Sequence, residues 1–174
     1  MNRRQFLVSG GSLFALALGP SITMAVPVAP FVPPTTNIVH LAGRIASLYS
    51  IPSDDLLHIL GLNPDQVEKV KEEAAQAIYA DENRNWLNPE KAQYYAELDG
   101  VHSLAEGGNQ DIYERARLVI DIKRKMNTRF NFDRVLQTDW LYWTNPHLKG
   151  MTFHEVMKAD LRLAAEVVDL ALQG

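Results

Sequence analysis

Few residues in this chain combine type and spacing in a way that could do chemistry. Asp99, His102 and Glu106 stand at i, i+3 and i+7, one face of a helix, and Asp-x-x-His is the carboxylate–histidine spacing of metal sites in helical bundles. A site of that kind needs a second carboxylate–histidine pair and further carboxylates from facing helices, and no second copy occurs. A surface cluster is the simpler reading of the three. His154-Glu155 does not open a zincin motif, because the fourth residue after His154 is Lys158. His40, His58 and His147 are isolated. Cysteine is absent, which excludes disulfides, thiolate nucleophiles, cysteine-held iron–sulfur or zinc centres and covalent haem attachment. There is no Gly-x-Ser-x-Gly elbow, P-loop or dinucleotide fingerprint, and Gly107-Gly108 follows a helix, the wrong context for phosphate. These residues assign no catalytic group, no metal and no cofactor of the chain's own.

The densest aromatic cluster is Trp140-Leu141-Tyr142-Trp143. On a helix Trp140 and Trp143 share a face and Tyr142 points elsewhere. Core packing accounts for one face, but three large aromatics in four residues are hard to bury on a single side. The second reading makes Trp140, Tyr142 and Trp143 an anchor for a partner.

The elements that must position these residues read as helices throughout. Apolar residues at helical spacing predict a helix over Asn37 to Tyr49 and a short one over Asp54 to Leu60, ended by Gly61. Asn63-Pro64-Asp65-Gln66 is a capping box that opens a third helix, with Val67, Val70, Ala74, Ala77 and Ile78 inward and its end at Asn83-Arg84-Asn85. Leu87-Asn88-Pro89-Glu90 opens a fourth, to Glu106, with Ala92, Tyr95, Leu98, Val101 or His102, and Ala105 inward. Gln110 to about Phe130 is the longest, with an outer basic stripe at Arg115, Lys123, Arg124 and Lys125. Asp133 caps a helix through Val135, Leu136, Trp140, Leu141 and Trp143, stopped at Asn145-Pro146. Thr152-Phe153-His154-Glu155 is a second capping box, launching a last helix with an apolar face broad enough to sit at the centre of the bundle. No stretch alternates with period two. The expected fold is all-α, a bundle of six or seven helices over residues 36–174.

Ahead of that domain the composition changes. Arg3 and Arg4 are followed by Phe6-Leu7 and an apolar run broken by Gly10-Gly11 and Gly19-Pro20, with no acidic residue before Asp54. Thr23-Met24-Ala25 offers the small residues of a cleavage site, so 1–25 reads as a leader cut after Ala25. The run is too short and interrupted to read as a membrane span. Arg3, Arg4, Phe6 and Leu7 resemble the twin-arginine export signal, S/T-R-R-x-F-L-K, with departures at Asn2 and Val8. The alternatives are an ordinary secretory leader that holds two arginines, and a signal retained as an anchor. Pro27, Pro30, Pro33 and Pro34 make 26–35 an extended linker.

The remaining chain, about 149 residues, has room for one core. Without Arg3 and Arg4, 15 Lys and Arg face 21 Asp and Glu, a net charge of −6 that argues against nucleic acid as a partner. No second long apolar segment follows, so the mature domain is not expected to span a membrane.

Twin-arginine leaders imply a passenger folded in the cytoplasm and moved by the twin-arginine translocase, either carrying a cofactor or riding on a partner that does. Arg-Arg-x-Phe-Leu at the start and Ile51-Pro52-Ser53-Asp54-Asp55 after an apolar run resemble the small subunit of periplasmic sugar-acid dehydrogenases, the gluconate 2-dehydrogenase subunit 3 type. That resemblance covers the leader and about a dozen residues. It implies a periplasmic, non-catalytic subunit of an oxidoreductase complex, exported with a larger flavin-bearing partner that does the chemistry. The other readings are a free-standing periplasmic helical ligand-binding or stress protein, and a small enzyme with a histidine–carboxylate site.

Overall fold

In the computed structural model residues 37–80 and 88–173 are described. Arg3, Arg4, Phe6 and Leu7 of the expected export signal, the cleavage site at Ala25, the proline-rich linker and the helix end at Asn83-Arg84-Asn85 lie outside the described residues. Among the described residues eight α-helices follow one another: α1 Ile38–Leu48, α2 Ser53–Ile59, α3 Pro64–Tyr79, α4 Pro89–Glu106, α5 Gln110–Arg129, α6 Arg134–Tyr142, α7 Phe153–Ala159 and α8 Leu161–Gln173. Among the described residues there is no strand, only one isolated bridge between Thr144 and Thr152. The all-α architecture is the expected one. No described helix is long and apolar enough to cross a membrane.

Local chemistry sets most of the boundaries. Asn37 accepts from the amides of Val39 and His40, and Asn63 and Gln66 close a reciprocal capping box with Pro64 at the first helical position. Asn88 caps α4 and Asp133 caps α6, while Thr152 and Glu155 form the second box, at α7. Gly61 takes φ +91 just past α2, a conformation in which a Cβ would be strained and would also press on the Arg115 side chain.

The expected single last helix is two. Asp160 leaves helical geometry, ending α7 through its own amide on the Val156 carbonyl and starting α8 by accepting from the amides of Arg162 and Leu163, both at 3.0 Å. Nor is α8 central. It packs on α5 and α7, buries Leu161, Ala164, Ala165 and Val168, and leaves Leu163 and Leu170 exposed. Its apolar face is wider than the surface its two neighbours present.

The centre belongs instead to α1 and α5. Helix α1 packs on α4 and α5, and α5 also meets α4 and α8; α3 runs against α4, α2 joins α3 to α7, and α6 rests on α7. Val39, Ala42, Ala46, Leu98, Val101, Ile112, Ala116, Val119, Ile122 and Met126 fill the space between these helices. Gly43 lets α1 approach α4: a Cβ there would overlap Leu98 Cδ1, and the Tyr94 hydroxyl donates to the Gly43 carbonyl at 2.7 Å. Ala77, expected inward on α3, is exposed.

The expected basic stripe on α5 is largely spent on the fold. Lys125 Nζ bridges Asp121 at 2.8 Å and Asp169 of α8 at 2.7 Å, its charge held by those carboxylates. Arg115 pairs with Asp111 at 2.6 Å, and Lys123 turns inward to Gln137 of α6 at 2.7 Å.

Candidate functional site

Helix α6 packs on the bundle with one side and leaves the other out. Helix α5 closes in a Schellman turn, the Phe132 amide donating to the Asn127 carbonyl, with both Asn131 (φ 46) and Phe132 (φ 63) in the left-handed region. Asparagine tolerates that conformation; for phenylalanine it is a strained choice, and the side chain it holds there is 74% exposed. Asp133 then caps α6 by accepting from the Val135 amide at 2.9 Å and the Leu136 amide at 3.1 Å. Arg134 reaches the carboxyl end of α1 and donates to the Leu48 carbonyl at 2.7 Å, where a cation offsets the helix dipole.

The inner side of α6 is Gln137 and Leu141. Gln137 is fully buried, accepts from the Tyr49 hydroxyl at 2.5 Å and from Lys123 Nζ at 2.7 Å, and donates to Asn127 at 3.3 Å. Lys123 also lies over the Tyr49 ring, 4.6 Å from its centroid. Burial, and then Arg134, pull the Lys123 ammonium below its ordinary pKa; burial pushes the Tyr49 hydroxyl up.

The three candidate aromatics separate. Trp140 faces the bundle, 4.4 Å from the Phe153 ring and 5.8 Å from Phe130. Tyr142 sits at the edge, donating to the Tyr49 carbonyl at 3.1 Å with its ring 5.2 Å from His154. Trp143 is the last residue of the α6 turn, its amide donating to the Asp139 carbonyl at 2.8 Å, and is 75% exposed, whereas Trp140 packs inward. Trp140, Trp143, Thr144, Asn145 and Pro146 line a recess of about 280 Å³ between them.

Outward, α6 presents Val135 (69% exposed), Leu136 (52%) and Trp143, with Tyr142 alongside. Asp139 lies among them, one turn from each pair at i−4 and i−3 and at i+3 and i+4. It is exposed and ion-pairs with none of the described cations. Isolated apolar surface residues need no explanation, but four on one helix edge form a patch.

No family model, curated protein or solved structure matches this chain. What the side chains can do therefore rests on their own geometry.

Asp99, His102 and Glu106 do not converge. Asp99 pairs with His40 of α1 at 2.8 Å, while His102 meets the Tyr113 hydroxyl at 3.0 Å and Glu106 at 3.3 Å. No group of three or more histidines and carboxylates that could hold a metal ion exists among the described residues. His58 Nδ1 meets the Leu62 carbonyl at 3.2 Å, and His147 is exposed in the 3₁₀ turn Pro146–Leu148.

Sequence reasoning missed the polar groups that long-range packing buries. Glu97 of α4 is 3% exposed, bonded by Ser53 at the start of α2 and by Gln93. His154 is buried beside Asp55, whose carboxylate Lys158 also holds at 2.5 Å. The partners of Gln137 lie 88, 14 and 10 residues away, and no local pattern marks them.

Proposed function

We propose that this chain is a non-catalytic helical subunit that is exported already folded and docks, through the outer face of α6, on a larger periplasmic oxidoreductase, a flavoprotein by the resemblance of its leader and its Ile51–Asp55 segment. The observation that carries the docking is the patch of Val135, Leu136 and Trp143, exposed although the same helix has a well-filled inner side. An aromatic flanked by aliphatics on a rigid, capped helix is the usual composition of an interface anchor. Export by the twin-arginine route supplies the reason for a preformed complex, since that route moves finished proteins.

The test is recovery of a complex from the periplasmic fraction of native cells. Val135→Ser, Leu136→Ser and Trp143→Ala together leave helical content unchanged and abolish the stoichiometric companion. Lysines at Arg3 and Arg4 stop both proteins from reaching the periplasm. A companion retained by the triple variant, or export unaffected by the lysines, sinks the corresponding half of the proposal.

One observation favours the free-standing ligand-binding alternative. Ser47, Ser50, Ser53, Asn88, Tyr94 and Tyr95 are among the residues lining a recess of about 450 Å³ between the α1–α2 turn and the start of α4. Glu90 and Lys91 complete its polar lining, so hydroxyls, an amide and one charge of each sign there suit a small polar or zwitterionic ligand. A purified monomer that carries one, and loses it on Tyr95→Ala, decides for this reading.

A further inference from the structure

The patch on α6 is not uniformly apolar, and its one charge sits at its middle. Taking 100° per residue around the helix, Gln137 and Leu141 mark the buried direction, and Asp139 falls opposite it. Val135 and Leu136 lie one turn before Asp139, Tyr142 and Trp143 one turn after. The carboxylate is unpaired among the described residues, and anything that covers the apolar residues also takes Asp139 out of water.

That arrangement discriminates among occupants. A second copy docking by the same face about a two-fold axis would set Asp139 against the other Asp139 in a desolvated centre, the least favourable place for like charges. A lipid surface would have to receive the carboxylate at the depth of the side chains that anchor it. A different protein with a cation at the matching point meets neither obstacle.

Resting on the docking reading above, we infer that the outer face of α6 receives a heterologous protein surface that is apolar around one arginine or lysine, the cation pairing with Asp139. Arginine suits the position better. Its guanidinium can take the carboxylate with two hydrogen bonds while its plane lies over Trp143, four residues on.

The experiment places a photo-cross-linking residue at Val135 in the full chain, made and exported in native cells, and maps the adduct by mass spectrometry. The expected product joins this chain to a different polypeptide at a segment with an arginine or lysine among apolar residues. Asp139→Arg lowers its yield at least tenfold, and replacing the partner's basic residue by glutamate restores it. Circular dichroism of the Asp139→Arg protein guards against misfolding, and Asp139→Asn, the smaller change, repeats the loss in weaker form. An adduct with another protein that is indifferent to Asp139 overturns the inference and leaves the docking reading standing. An adduct with a second copy or with lipid overturns the inference outright, and no adduct at all removes both.

Discussion

His154 Nε2 lies 3.3 Å from Asp55 Oδ2, yet out of line for a hydrogen bond, so a buried ring nitrogen has a carboxylate beside it and no partner. Lys158 occupies the other oxygen of Asp55 at 2.5 Å. Both residues stand in the first turn of their helices, Asp55 in α2 and His154 in α7. The positive end of α2 favours the Asp55 charge, while that of α7 disfavours a charge on His154. The Lys158–Asp55 pair therefore joins α7 to α2, with a neutral histidine packed beside it.

Stability should fall as the solution is acidified through the histidine range. Burial holds the His154 ring below its ordinary pKa, and Lys158 acts in the same direction against Asp55 and Glu155. Above about pH 6.5 the ring is neutral in both folded and unfolded chains. Below it the unfolded chain takes the proton first, so the folded state loses ground, by no more than about 1.4 kcal/mol per pH unit for one site. Glu155 and Asp121 have lowered pKa values, so their contributions are lost only at more acidic pH, in the carboxylate range. Urea midpoints between pH 7 and 5 should slope downward in the wild type and flatten in His154→Gln; parallel slopes would assign the loss to other groups.

Gln137→Leu should destabilise by about 2–4 kcal/mol, although the new side chain is apolar and of similar size. The cost arises from what it strands: the Tyr49 hydroxyl and the Lys123 ammonium each lose their Gln137 acceptor in a buried site. Adding Tyr49→Phe removes one of the stranded groups, so the double variant should lose less than the sum of the two single changes. Denaturant titration of the four proteins measures the coupling, and strict additivity would mean that Gln137 acts by packing alone.

What the sequence made legible was local. Both capping boxes, the Asn88 and Asp133 caps and the glycine after α2 are written within four residues of the turns they set, so pattern alone locates them. The break at Asp160 is not. An aspartate inside a helical pattern costs only about 0.5 kcal/mol against its neighbours, too little to announce a boundary. Gln137 and Glu97 look like solvent-facing residues because their partners come from other helices. Val135 and Leu136 mislead in the opposite sense: an apolar side chain left in solvent is indistinguishable, by type, from one facing the core.

Gly43→Ala should cost about 1–3 kcal/mol, more than its single methyl group suggests. The added Cβ meets Leu98, itself 1% exposed and unable to swing into solvent, so α1 must back away from α4 and lengthen the Tyr94 hydrogen bond to the Gly43 carbonyl. Pairing it with Leu98→Val should recover part of the loss, because the smaller side chain vacates the overlapping volume. A thermal midpoint unchanged by Gly43→Ala would show that the helix contact has slack.

Trp140 and Trp143 should part company when each is replaced by alanine. Trp140 packs on Phe153 and Phe130, so its loss opens a cavity against α7 and should cost about 2–3 kcal/mol, less than for a fully buried tryptophan. Trp143 is mostly in solvent, and its loss should move stability by no more than about 0.5 kcal/mol. On the docking proposal its effect belongs to binding, as the residue one turn from Asp139 on the outer face. Side-by-side urea titrations decide the matter: equal destabilisation would place Trp143 in the fold and take the aromatic anchor out of the docking surface.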